Sequence, residues 1–266
     1  MKIGFTERGD AGLDLSWYDK VHTQHCDGLI AITKNLTDAC ADRLLALHQS
    51  GFPVILHAGI TGLSEIAPKL ELNTPNVDTS LARIQALIDR GFPKDHIVLR
   101  IDPIVLFGDY MTAPFMVLDH AAEQGLLPGL RVRVSFMDNY PHVRARCKQA
   151  LGYELYGGRW QADPYLAIRF TRLLTPYIEK GIISKPETCA EIRFLDGLPG
   201  QFAHMYEACG CISLKDLAIM GLDPAQAPKT INGQQRGGCL CLACKQELLT
   251  QRHPCGNKCL YCYWKD

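Results

Sequence analysis

The chain has 266 residues, 47% hydrophobic and 21% charged, with 28 Lys plus Arg against 28 Asp plus Glu. That composition supports a sizeable globular core, and a formal net charge of zero excludes a strongly basic binder of nucleic-acid backbones. The opening MKIGFTERGD has no apolar signal region, and no apolar run reaches the about 20 residues of a membrane span. A cytoplasmic protein with no membrane partner is expected, its twelve cysteines kept reduced for metals or chemistry.

Short apolar runs alternate with helical patterns along the chain. A first strand is marginal at Lys2 to Thr6, and Gly28 to Thr33 (GLIAIT) is strand-like. Leu36 to Ser50 reads as a helix with Leu44, Leu45 and Leu47 on its apolar side. Pro53 to Leu56 is the next strand, and Val77, Leu81, Ile84 and Ile88 then recur at helical spacing. His96 to Ile101 forms a strand, Phe115 to Leu126 a helix, Leu130 to Phe136 a strand, and Pro141 to Leu151 a helix. Asp163-Pro164 reads as an N-cap followed by proline in the first turn. Cys189 to Phe194 is a short strand and Leu198 to Cys209 a short helix.

Strands alternating with helices imply parallel pairing and right-handed crossovers. The expected class is α/β: a complete or partial (β/α) TIM-like barrel over residues 1–236, closed by a cysteine-rich tail over 237–266 that packs on its mouth as part of one structural unit. A doubly wound open sheet is the competing arrangement.

Barrel active sites lie at the C-terminal ends of the strands, and polar residues gather there in this sequence. Thr33, Lys34 and Asn35 follow one strand and His57 another. Arg100 and Asp102 share one face of a third, because side chains alternate along a strand. Ser135 and Asp138 mark a fourth exit, and Cys189 and Glu191 a fifth. Singly, a histidine or an Arg–Asp pair on a strand is more often structural; together these residues line one cavity mouth.

The tail reads GGCLCLACKQELLTQRHPCGNKCLYCYWKD from Gly237. Its last three cysteines, Cys255, Cys259 and Cys262, are spaced C-x3-C-x2-C with Tyr261 before the third. Four-iron clusters are normally held by four thiolates, so a local trio leaves one iron for another ligand. This resembles the site of radical S-adenosylmethionine (SAM) enzymes, whose open iron chelates the methionine part of SAM, with the aromatic residue beside the adenine. Short-spaced cysteines also build structural zinc sites. Cys239, Cys241 and Cys244 read equally as a zinc site, a second iron–sulfur cluster, or the source of one extra ligand, and Cys209 or Cys211 is a candidate to join them. Gly237-Gly238 reads as a turn before this segment.

Several segments in order resemble a bacterial family described as a domain of unknown function (family 1848). They are ITKN at Ile32 to Asn35, ITG at Ile60 to Gly62, RIDPI at Arg100 to Ile104, SFMDNY at Ser135 to Tyr140, TCAE at Thr188 to Glu191 and CLYCY at Cys259 to Tyr263. Two places depart from the family pattern: Cys244 falls near an expected serine, and Leu99 replaces an aromatic residue. The resemblance implies a barrel whose cluster loop has moved to the end of the chain, as in a circular permutation, with a distant likeness to spore photoproduct lyase.

The expected function is therefore a radical SAM enzyme. Cys255, Cys259 and Cys262 would hold the cluster. Tyr261, Lys34, Thr33, Asn35, His57, Ser135 and Asp138 would surround the cofactor, and Arg100, Asp102, Glu191 and Cys189 would serve the chemistry. A flavodoxin, ferredoxin or reductase would donate electrons to a reaction on a small molecule or a nucleic-acid base. The alternatives are a zinc-bearing barrel hydrolase or lyase using Asp102 or His57, and a non-catalytic module with a zinc-ribbon tail.

Overall fold

In this computed structural model, residues 1–189, 191, 195, 202–228, 239–249 and 255–264 are described. Among them eight parallel strands form one sheet: β1 (Ile3–Phe5), β2 (Gly28–Thr33), β3 (Val54–Gly59), β4 (Ile97–Ile104), β5 (Arg131–Phe136), β6 (Glu187–Thr188), β7 (Glu207–Ala208) and β8 (Lys245–Glu247). Their order is β7-β6-β5-β4-β3-β2-β1-β8. The chain thus winds in one direction through β7, then returns to place its tail strand beside β1, with Ile3 opposite Lys245.

Helices occupy the crossovers: α1 (Trp17–Thr23), α2 (Asp38–Gln49), α3 (Leu63–Ile66), α4 (Val77–Asp89), α5 (Ala113–Glu123), α6 (Pro141–Leu151), α7 (Pro164–Glu179) and, after β7, α8 (Leu214–Ile219). Their starts are chemically marked. Thr37 accepts from the Cys40 N–H ahead of α2, and Asn76 from Thr79 ahead of α4. Asp163 accepts from Tyr165, with Pro164 opening α7. Each cap satisfies an amide that the helix cannot.

Alternation along the strands sorts the side chains onto two faces. Leu29, Ala31, Leu56, Leu99, Val132 and Val134 join the larger apolar core with Trp17 of α1, Leu44 of α2, Leu81 of α4, Val117 of α5, Val143 of α6 and Phe170 of α7. Ile3, Phe5, Ile30, Ile55 and Val98 face the other way, into a smaller cluster closed by Ile212, Leu217 and Met220. A doubly wound sheet would put crossover helices on both faces. Here the six longer crossover helices lie on one, so the sheet is a partial barrel with the smaller cluster on its inner face.

Along β5 and β6, and toward the C-terminal ends of β3 and β4, that inner face turns polar. Arg131 and Arg133 share it with Ser135, and both arginines pair with Glu187 on β6, at 2.8 and 2.5 Å, while Arg131 also reaches Asp216 of α8 at 2.8 Å. His57, fully buried on β3, lies 3.3 Å from Arg133 Nη1. Burial, then the charges of Arg133, Arg100 and Arg131, lowers its pKa well below the ordinary histidine value. It is therefore neutral, and its Nε2 accepts from the guanidinium.

Some expectations shift. The strand anticipated at Cys189 to Phe194 lies earlier, at Glu187–Thr188, and Glu191 is helical; Ala190 and residues 192–194 lie outside the described residues. Of the helix expected from Leu198 to Cys209, residues 198–201 lie outside the described residues, and the rest is a 3-10 turn at Phe202–Met205 leading into β7. Gly237-Gly238 also lies outside the described residues. Among the described residues no helix is long and apolar enough to cross a membrane.

Glu187 supplies the first prediction. Burial opposes its ionisation, but Arg133 and Arg131 outweigh it and hold the carboxyl at about 2, below the ordinary 4.5. A lowered folded pKa gives stability that is full above about pH 4.5 and is lost as pH falls toward 2. Glu187→Gln should cost about 3–5 kcal/mol in urea unfolding at neutral pH, since it leaves buried guanidinium charge uncompensated. It should also flatten the acid limb of the stability curve; an unchanged limb would contradict the assignment.

Candidate metal centre at the strand exits

The tail is tied to the sheet by a carboxylate just beyond β1. Asp10 is buried and accepts four hydrogen bonds: from Gly12 N at 2.8 Å, Thr33 Oγ1 at 2.5 Å, Lys34 N at 2.7 Å and Asn257 Nδ2 at 2.6 Å. Three come from the β1 and β2 exits and one from the tail between Cys255 and Cys259. Glycine is required at position 12, where a Cβ would stand 1.7 Å from the Asn35 carbonyl oxygen.

A second tie lies one strand over. Glu71 bridges Cys259 in an antiparallel pairing, and Leu260 N donates to Leu70 O at 3.0 Å. The Glu71 carboxylate, itself buried, accepts from Lys34 Nζ at 3.0 Å and from the Tyr261 hydroxyl. Lys34 Nζ also donates to Asp102 O at 3.2 Å and lies 5.3 Å from the Tyr261 ring centroid. Burial disfavours the charged amine, but Glu71 and then Cys259 outweigh it, so the Lys34 pKa is raised. A third tie comes from α6, where Arg146 donates to Cys262 O and His142 Nε2 lies 2.8 Å from Tyr263 O.

The Cys255–Cys259–Cys262 loop therefore sits over the C-terminal exits of β1 to β5, with Lys34 beneath it. The three thiols are half-buried. They do not form a group with all sulfurs within 4.8 Å, the spacing that a single ion demands; among the described residues only Cys189, Cys239 and Cys241 do so.

Below the loop, Asp102 Oδ2 accepts from Arg100 Nε at 2.7 Å and pairs with Nη2 at 2.5 Å. Arg100 Nη1 is buried without a partner, as is His57 Nδ1. Ser135 Oγ donates to Glu191 Oε1 at 2.8 Å, and Thr188 Oγ1 to Oε2 at 3.0 Å, which fixes that carboxylate at the β5 and β6 exits. Arg100, Asp102, His57 and Ser135 thus share the inner face, and Lys34 joins them through Asp102. Thr33 and Asn35 turn elsewhere: Thr33 serves Asp10, and Asn35 Oδ1 accepts from Arg83 Nη1 at 2.8 Å. Asp138, in the loop before α6, accepts from Gln161 Nε2 at 3.3 Å.

The second cysteine set has a different membership from C-x-C-x2-C alone. Cys189, at the β6 exit, joins Cys239 and Cys241. Cys244 instead packs with Ile3, Phe5 and Ile30 in the inner apolar cluster. Asp10, Glu71, Arg133 and Asn257 went unnoticed in the sequence, because isolated polar residues carry no spacing signal.

An α/β partial barrel that carries thiol groups at its strand exits is the class that fold and site define. The chain belongs to the family described as Domain of unknown function (DUF1848), whose model matches residues 16–264. No curated protein matches it.

If Asp10 holds the tail in place, Asp10→Ala should cost about 1–3 kcal/mol, the penalty of stranding buried donors. Amide exchange at Leu260 should then speed up more than at Leu99 in the sheet centre. Equal acceleration at both sites would show that the carboxylate serves only general stability.

Proposed function

We propose that this protein is a radical SAM enzyme whose cluster is held by Cys255, Cys259 and Cys262. The observation that carries the reading is the seating of this C-x3-C-x2-C loop over the strand exits, where a (β/α) barrel does its chemistry. Cys255, Cys259 and Cys262 would hold a four-iron cluster, which would supply the one electron that splits SAM into methionine and the 5′-deoxyadenosyl radical used to take hydrogen from the substrate.

The chain's own residues supply position and charge. Burial raises the pKa of the Cys259 thiol, and the Lys34 ammonium beside it works against that rise, toward the thiolate that a metal needs. Glu71 fixes Lys34 and Tyr261 together, so Tyr261, between Cys259 and Cys262, is pinned to the β2 exit through one buried carboxylate. Asp102 orients the Arg100 fork and leaves Nη1 facing no protein acceptor. That N–H and the neutral His57 Nδ1–H are donors for a carboxylate, phosphate or carbonyl oxygen of cofactor or substrate, because a buried donor left unmet costs free energy. Glu191 is oriented at the strand exits by Ser135 and Thr188. A flavodoxin- or ferredoxin-type donor would supply the electron.

Anaerobic reconstitution with iron and sulfide should load about four irons per cluster and give broad visible absorbance. Dithionite and SAM should then yield 5′-deoxyadenosine, and Cys259→Ser should abolish both. Arg100→Met should keep the cluster yet lower 5′-deoxyadenosine formation. Protein that takes up zinc at this trio and no iron would overturn the reading.

A further inference from the structure

The other cysteine group calls for a different ion. The Cys189 and Cys239 sulfurs are 3.8 Å apart, and both lie within 4.8 Å of Cys241 Sγ. Four bonds of about 2.3 Å at the tetrahedral angle hold their sulfurs about 3.8 Å apart, so the spacing fits one zinc-sized ion. A cubic cluster would spread the sulfurs more widely. Cys211 stands beside the group, its backbone N–H donating to Cys241 Sγ at 3.1 Å; its sulfur is not among the three that lie mutually within 4.8 Å, and it would complete a set of four ligands by rotating its side chain. Cys209, its neighbour but one, instead faces the Arg133 guanidinium at 3.4 Å.

The backbone around the group is arranged for thiolates. Leu240 N donates to Cys189 Sγ at 3.1 Å, and Cys211 N donates to Cys241 Sγ at 3.1 Å. Amide hydrogen bonds to sulfur spread the negative charge of a tetrathiolate and orient its ligands. Arg133 adds positive charge nearby, its Nη1 lying 3.4 Å from Cys211 O. Gly210 permits the close approach: a Cβ there would meet the backbone of Leu240 and Cys241 at 2.6 to 2.7 Å.

The group also lies where the sheet needs a fastening. β7 and β8 are its two edges and do not pair with each other. Among the described residues, a backbone hydrogen bond from Leu242 N to Ile212 O at 3.0 Å crosses between the segment after β7 and the segment before β8. Cys189 follows β6, Cys211 follows β7, and Cys239 and Cys241 precede β8.

We propose that Cys189, Cys211, Cys239 and Cys241 bind a single zinc ion in a structural tetrathiolate site, distinct from the Cys255–Cys259–Cys262 trio, which fastens the β6–β7 edge to the tail strand. Such a site fills all four positions with protein ligands and contributes folding energy rather than catalysis.

The test uses full-length protein carrying Cys255→Ser, Cys259→Ser and Cys262→Ser, so that it is independent of the radical SAM reading. Purified without oxygen, this variant should retain about one zinc per chain. Co(II) exchanged for zinc should give the intense charge-transfer and visible bands of a tetrahedral cobalt thiolate. Adding Cys211→Ser or Cys239→Ser should weaken zinc binding by more than the about 10–100-fold that losing an outer-shell partner costs, whereas Cys244→Ser should leave it unchanged. If the added substitution prevents folding, the Co(II) spectrum of the triple variant decides alone. A triple variant that binds no zinc and gives an octahedral Co(II) spectrum, or that binds iron with sulfide instead, overturns the proposal; so does zinc binding indifferent to Cys211 and Cys239.

Discussion

One buried carboxylate sets where the tail can lie. An ionised carboxylate offers about four acceptor positions, and Asp10 has four donors: the amides of Gly12 and Lys34, the Thr33 hydroxyl and the Asn257 amide. None is a cation, so the anchor works through geometry more than charge. A tail carrying Asn257 elsewhere would leave a buried anion underpaired, which is costlier than any surface contact it could gain. The cysteines on either side of Asn257 are thereby directed to the strand exits, although they are remote in sequence from every residue there.

The inner face of the sheet divides across its strands. The β1 to β4 side holds the apolar cluster of Ile3, Ile30, Ile55 and Val98 packed with Leu217. The β5 and β6 side holds Arg131, Arg133 and Glu187 in an ion-pair network with Asp216. Such networks seldom add net stability over apolar packing, but this one keeps His57 neutral and places positive charge next to Cys209 and Cys211. Both thiol-bearing regions thus border a mouth whose charges are largely paired and whose unpartnered atoms are Arg100 Nη1 and His57 Nδ1.

Much of the scaffold was legible because its signals are local. GLIAIT, the Thr37 and Asn76 starts, and Asp163-Pro164 each announce an element within a few residues, and the observed boundaries fall close to them. β7 and β8 escaped notice since two- and three-residue strands reading EA and KQE carry no apolar run; pairing with existing strands, not their own propensity, makes them strands. Glu191 fell in a helix because the short strand ends before Cys189. The thiol groups were half legible: C-x3-C-x2-C is a local pattern, whereas the Cys189–Cys211–Cys239–Cys241 set is assembled from three segments and no spacing rule reaches across them. Thr33 and Asn35, attractive as part of a T-K-N exit, spend their side chains on Asp10 and Arg83.

The central claim is that the terminal thiol trio leaves one iron of a cluster open at the barrel mouth. Mössbauer spectroscopy of protein reconstituted with iron-57 tests this most directly, before and after SAM is added. The account predicts that one iron of the four changes its isomer shift when SAM binds, while the other three hold theirs. Four equivalent irons indifferent to SAM would contradict it.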